Sequence, residues 1–186
     1  MNEKDRRVKR TKKLLKSTLA ELLLEKNLRN ITVRELAEKA VISRGAFYTH
    51  YDDIYDLSQQ MENDVFEEFG AIFQFDPGHT YEETFMSLID YVYDNPAICQ
   101  IFMGKGSESS FRDKLANLME EKVSEIVLYE MEATESKDDW DYLNRYTCYG
   151  TVSALSMGID SKFSYQMEKL FKMIMDIDDR VDCLYE

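Results

Sequence analysis

A chain of 186 residues with 44% hydrophobic and 12% aromatic side chains carries ample material for a packed core, which excludes an intrinsically disordered segment. Its 23 Lys and Arg against 36 Asp and Glu give a net charge of −13, divided unevenly along the chain. Residues 1–51 hold 13 basic and 6 acidic side chains, a net of +7, and residues 52–186 hold the remaining 10 and 30, a net of −20. One end is suited to a polyanion and the other is not, and the shift marks two domains, 1–51 and 52–186.

With two prolines and seven glycines in the whole chain, helix is favoured almost throughout. No strand-like alternation persists and no internal repeat is visible, so the expected fold is all-α. The three cysteines, Cys99, Cys148 and Cys183, lie far apart without a CxxC spacing and read as reduced, buried thiols. No apolar run approaches the ~18 residues of a membrane span, and no signal core follows the basic start. A soluble, cytoplasmic protein with no membrane partner is expected.

In chain order, a first helix is predicted over 6–26. Its stripe is Leu15, Leu19, Leu22 and Leu23, and Arg6, Arg7, Lys9, Arg10, Lys12, Lys13 and Lys16 crowd its N-terminal half. After a turn at 27–30, Thr32 and Glu35 form a T-x-x-E capping box that opens a second helix, each side chain satisfying a backbone donor of the other. Val41 and Ile42 cross a turn, and Ser43 caps a third helix reaching Tyr48 or Thr49. A fourth, opened by Asp52 or Asp53, runs to about residue 73, with Ile54, Leu57, Met61, Val65, Phe69 and Phe73 recurring every three or four residues. Phe75, Asp76, Pro77 and Gly78 break it. Further helices are expected at 80–94, 96–104, 109–132, 138–159 and 164–178.

The segment 32–51 has the makings of a helix-turn-helix: a capped positioning helix, a tight turn and a short recognition helix. Ser43, Arg44, Gly45 and Ala46 set one long donor among small residues able to approach base edges. Arg44 is the candidate reader of guanine, because its planar fork bonds two acceptors at once. Phe47 points into the core. Tyr48, Thr49 and His50 project toward the duplex backbone, and Thr32 brings a hydroxyl and a helix start, both suited to phosphate. Arg10 and Lys12 add sequence-independent attraction.

Thr32-Val-Arg-Glu-Leu-Ala37, Ser43-Arg-Gly-Ala-Phe-Tyr48, His50-Tyr51 and Leu57 together resemble the N-terminal pattern of the TetR family of transcriptional regulators, over roughly residues 10–60. The stretch from Phe47 to Leu57 and the short remainder look like the subgroup related to the dihydroxyacetone kinase regulator. The resemblance implies a three-helix DNA-binding domain followed by a helical ligand-binding and dimerisation domain. It implies a homodimer on a palindromic double-stranded operator, acting as a repressor whose head spacing is set by an unknown small-molecule effector. One departure stands out: where family members carry a lysine near the start of the fourth helix, this chain has Asp52 and Asp53.

In the larger domain, Leu143, Thr147, Gly150, Ala154 and Met157 share a stripe with Trp140, and the last helix offers Met167, Leu170, Phe171 and Ile174. The resemblance implies that these two helices pair with their copies in a second subunit. Phe69, Phe73, Phe85, Phe102, Met103, Met119, Tyr146 and Tyr149 are the candidate lining of an effector pocket. The acidic surface favours a neutral or cationic effector over an anion.

Catalytic chemistry is poorly represented. Of two histidines, His50 lies in the DNA segment and His79 follows Pro77-Gly78, and no HExxH, GxSxG or phosphate-loop spacing occurs. The chain is therefore not expected to be an enzyme and offers no metal-ligand spacing or cofactor motif. The rival readings are a coactivator of the same fold whose larger domain binds another protein, a relative that has lost DNA binding through Asp52 and Asp53, and, more distantly, a small-molecule enzyme.

Overall fold

The computed structural model describes residues 3–74, 81–105, 107, 110–130 and 137–162, together with 169, 172, 173 and 176. All regular structure among them is helical: α1 (Glu3–Glu25), a 3-10 turn (Leu28–Asn30), α2 (Val33–Lys39), α3 (Arg44–Tyr48), α4 (Ile54–Ile72), α5 (Tyr81–Asp94), α6 (Pro96–Met103), α7 (Ser110–Glu130) and α8 (Lys137–Asp160). The expected helices are all met within a few residues of their expected ends, except that predicted over 164–178. That one falls largely outside the described residues, as do Phe75, Pro77, His79, Met167, Leu170, Phe171, Ile174 and Cys183.

The chain packs as two compact units, Met1–Val65 and Phe66–Glu186, dividing within α4. The charge boundary lies earlier, after Tyr51. Packing carries the first unit further because Ile54, Leu57 and Met61 are all buried, and burial follows apolar spacing whatever the surface charge.

In the first unit, Leu15, Leu19 and Leu22 form the buried stripe of α1, joined by Leu36, Ala37, Ala40 and Phe47. Backbone caps set the short helices. Thr32 Oγ1 accepts the Glu35 N–H at 3.2 Å, and Ser43 Oγ accepts the Ala46 N–H at 3.1 Å. The capping box differs from its sequence form, because the Glu35 carboxylate takes the Lys26 ammonium instead of reaching back to Thr32. A long cation just past the end of α1 offers that carboxylate a charge-assisted bond, which outweighs a neutral backbone donor.

Between α2 and α3 the chain turns at Val41, whose φ of 55° lies in the left-handed region. That conformation costs a β-branched residue roughly 1–2 kcal/mol. The side chain is 89% exposed, so no packing compensates it.

In the second unit, α7 and α8 form the principal helix pair. Buried Asn144 joins them: its Nδ2 donates to the Glu120 carbonyl at 2.8 Å and to Ser124 Oγ at 2.7 Å, while its Oδ1 accepts the Cys148 thiol at 3.3 Å. Cys99 and Cys148 are buried thiols outside any disulfide. Gly104 ends α6 where a Cβ would meet the Gln100 carbonyl at 2.5 Å, so a side chain there would displace backbone. No described helix is long and apolar enough to cross a membrane.

Candidate nucleic-acid interface

A five-residue helix has little stability of its own, so α3 owes its position to its buried face. Phe47 is fully buried and makes edge-to-face contact with Tyr48 and tilted contact with Tyr51. Ser43, Arg44, Gly45, Tyr48 and Thr49 are consequently left on the exposed side, with Ala46 and His50 half-buried. Arg44 has no ion pair among the described residues, which leave its fork unoccupied. The Thr49 hydroxyl donates to the Gly45 carbonyl at 2.9 Å, leaving its oxygen to accept rather than donate. Thr32 and Ser43 are exposed but spend one lone pair each on their caps.

Gly45 carries a further signal. A glycine within a helix costs about 1 kcal/mol relative to alanine. Here an added Cβ would meet only Ser43 Oγ, at 3.9 Å, so the protein itself has room for a side chain. The missing side chain instead leaves backbone open to close approach from outside.

Arg10 is exposed, whereas Lys12 is half-buried with its ammonium 5.6 Å from the centroid of the Tyr51 ring. Tyr51 is itself buried and its hydroxyl has no hydrogen-bond partner among the described residues. Desolvation, then the negative charges of Asp64 and Asp56, push its pKa up to about 12. Lys16 pairs with Asp64, so α1 and α4 are tied by charge on one side of that ring.

The carboxylates of Asp53 and Asp56, not that of Asp52, cap the start of α4. Asp53 Oδ1 accepts the Asp56 N–H at 2.8 Å, and Asp56 Oδ2 accepts the Asp52 N–H at 3.0 Å. Hydrogen bonds from Gln60 and from the Asp52 backbone hold the Asp56 carboxyl below its ordinary pKa. Asp53 is thus spent on the helix start; Asp52 remains exposed.

Sequence reasoning passed over the outer face of α2. Between it and the start of α3 lies an open groove of about 430 Å³ lined by Arg34, Ala37, Glu38, Ile42 and Arg44. Arg34 Nε donates to Glu38 Oε1 at 2.8 Å, and this bond, with the attraction of that charge, raises the arginine pKa. The i,i+4 spacing of Arg34 and Glu38 was a readable signal, but exposed pairs of that kind occur on most helices.

Of the candidate pocket residues, Phe69, Phe73, Phe85, Phe102, Met103 and Met119 are buried. Tyr149 is half-buried, its hydroxyl donating to Asn117 Oδ1 at 2.9 Å beneath Arg145. Tyr146 stands apart from them at 66% exposed. Phe111, which the sequence did not single out, packs at 6.1 Å from the Phe69 ring and 5.4 Å from that of Phe102. Burial raises the Cys99 thiol pKa to about 12, with the nearby Glu68 charge adding to the shift.

Along α8, Asn144, Cys148, Thr151, Leu155 and Ile159 face inward and are buried. The other side carries Tyr142 and Met157, 79% and 72% exposed, with Tyr146 between them. Gly150 is exposed on this side, and an added Cβ would meet nothing within 4 Å. Leu143, Thr147 and Ala154 are half-buried along its margin.

A capped two-helix turn carrying an unpaired arginine, built on an all-helical scaffold, has counterparts among known proteins. Residues 17–61 match the family described as bacterial regulatory proteins, tetR family, and residues 79–178 match the transcriptional regulator C-terminal region of such proteins. The chain belongs to the TetR family of transcriptional regulators. As a TetR-family protein it is a DNA-binding regulator, not an enzyme. It is 27% identical over 99 residues to YxbF, an HTH-type transcriptional regulator of Bacillus subtilis strain 168, in a match spanning 50% of this chain and 26% of that relative.

Two solved structures share the fold of this TetR-family chain. A TetR transcriptional regulator from Streptococcus agalactiae 2603V is 20% identical, with TM-score 0.70 over 94% of this chain and 97% of its own. The dihydroxyacetone kinase operon activator DhaS is 19% identical, with TM-score 0.68 over 95% and 98%. At such identities the likeness concerns architecture alone.

Proposed function

We propose that this TetR-family regulator is a homodimeric repressor that reads a palindromic operator through α3 and is released by a small-molecule effector. The observation that carries the DNA assignment is the exposed, unpaired Arg44 beside the sterically open Gly45, on a helix held by buried Phe47. Arg44 bonds a guanine edge, Tyr48 donates to a phosphate oxygen, Thr49 does so once its hydroxyl turns from the Gly45 carbonyl, and Ser43, Gly45 and Ala46 let the backbone close in. Thr32, His50, Arg10 and Lys12 flank this contact, with Lys12 leaning on Tyr51. Such a protein works where the chromosome is, in the cytoplasm.

Dimerisation draws support from the exposed row on α8, where Tyr142 and Met157 flank a glycine that the monomer does not need. Leu143, Thr147, Gly150, Ala154 and Met157 form the proposed contact, with Met167, Leu170, Phe171 and Ile174 joining from the following segment. Two heads on one face of a duplex lie about 34–36 Å apart per turn, so a shift of a few ångström on effector binding removes one from register. Phe69, Phe73, Phe85, Phe102, Met103 and Met119 surround the proposed effector site, with Tyr149 at its margin.

A second reading, a coactivator-type regulator whose larger unit docks another protein, is favoured by one observation. Phe111 packs between Phe69 and Phe102, occupying space an effector would need. The likeness to DhaS does not decide between the two.

Selection of genomic DNA fragments by the purified protein at two salt concentrations tests the assignment. A palindromic motif whose affinity falls steeply with salt is the expected result. Recovery of no motif would sink the repressor reading and move the search to protein partners.

A further inference from the structure

The groove between α2 and α3 holds two guanidinium groups and one carboxylate over an apolar floor of Ala37 and Ile42. Neither Arg34 nor Glu38 is needed for the fold. Their side chains are 77% and 66% exposed, and ion pairs so exposed add little to stability. Their arrangement nevertheless constrains what Arg34 can do. A guanidinium carries five N–H donors in one plane, and Glu38 occupies the one on Nε. The Nη pair, the edge that forks onto two acceptors, is left free.

We propose that Glu38 is a positioning residue for sequence readout, holding Arg34 by its Nε so that the Nη edge joins Arg44 in addressing base edges across the groove. This rests on the DNA-binding assignment above and extends it from α3 to α2. The carboxylate has two further consequences. Its charge repels phosphate, which disfavours the backbone as the target of Arg34. Its second oxygen accepts from a cytosine amine, so the base pair read by α2 is C·G, guanine to Arg34 and cytosine to Glu38. Without Glu38, Arg34 becomes a mobile cation on a flexible stem, and its nearest favourable target is a phosphate.

The test compares the full-length wild type with Glu38→Ala, Glu38→Gln and Arg44→Ala, each by fragment selection and by binding at several salt concentrations. For Glu38→Ala, the expected result is loss of preference at one C·G position in each half-site. The ratio of specific to non-specific affinity falls on the order of tenfold, and the salt slope steepens by about one phosphate. Glu38→Gln keeps an acceptor for Nε, so it retains more of the preference than alanine while gaining non-specific affinity. The thermal midpoint is expected to stay unchanged in both, which separates positioning from folding. A motif and salt slope unaltered in Glu38→Ala, with the motif lost in Arg44→Ala, would overturn the role of Glu38 and leave the DNA reader standing. No motif for the wild type would overturn both.

Discussion

The two units expose their aromatic side chains in different company. In the first, Tyr48 sits on a short helix beside Arg44 and Thr49, and in the second, Tyr142 and Tyr146 share a face with Met157 and a bare glycine. An aromatic hydroxyl among cations and small polar groups suits a hydrated polyanion, whereas an apolar row around a glycine suits another helix. Both faces also carry a glycine that their own unit leaves unfilled, Gly45 and Gly150. On the proposed reading, each unit gives up a little helix stability where a partner comes close, DNA at Gly45 and a second copy of the chain at Gly150.

Substitutions can break this comparison, beginning with the scaffold. Phe47→Ala leaves a cavity under α3 and should cost about 3–5 kcal/mol, read as a lowered unfolding midpoint with DNA binding lost alongside. Arg44→Ala should leave that midpoint alone and cost ~1–3 kcal/mol on the operator, relaxing preference at one position. Equal losses on all sequences would place Arg44 on phosphate only.

On the other unit, Met157→Glu sets like charges against each other across the proposed two-fold contact. Sedimentation should show the monomer–dimer midpoint raised tenfold or more, about 1.4 kcal/mol. An unchanged midpoint would return that face to solvent.

The glycines sharpen the contrast further. Gly150→Ala, inside α8, should stabilise the free chain by roughly 0.5–1 kcal/mol, and Gly45→Ala, in the first turn of α3, by less. Gly45→Ala should weaken operator binding and spare the dimer, and Gly150→Ala the reverse. The most nearly balanced effect is at the turn. Val41→Gly relieves left-handed strain of roughly 1–2 kcal/mol but adds ~0.4–1 kcal/mol of unfolded-chain entropy, so the net gain in denaturant titration lies between about 0 and 1.6 kcal/mol.

Legibility followed the range of the interactions involved. Thr32, Ser43 and Asp53 were readable as caps because a cap is made within three residues of its own chain. The α4 row from Ile54 to Phe73 was readable because a helix buries one face at a fixed period, and all six of its apolar residues are buried. The Glu35 carboxylate went elsewhere because Lys26 competes for it from outside the capping box. Phe111 was missed for a similar reason: its neighbours Phe66, Phe69 and Phe102 come from other helices, and no spacing along α7 announces them.

By itself, then, the sequence determined the helices, their caps, the charge polarity and the order of the candidate recognition residues, all properties of short stretches of chain. Which side chains share a surface was decided only in three dimensions. Arg34 faces Arg44 across a groove, Lys12 lies over a buried Tyr51, and Tyr146 turns away from the aromatic cluster it was expected to join. The physical reason is that periodicity tells which residues share a helix face, but only the packing of one helix against another decides which face is buried and what meets it.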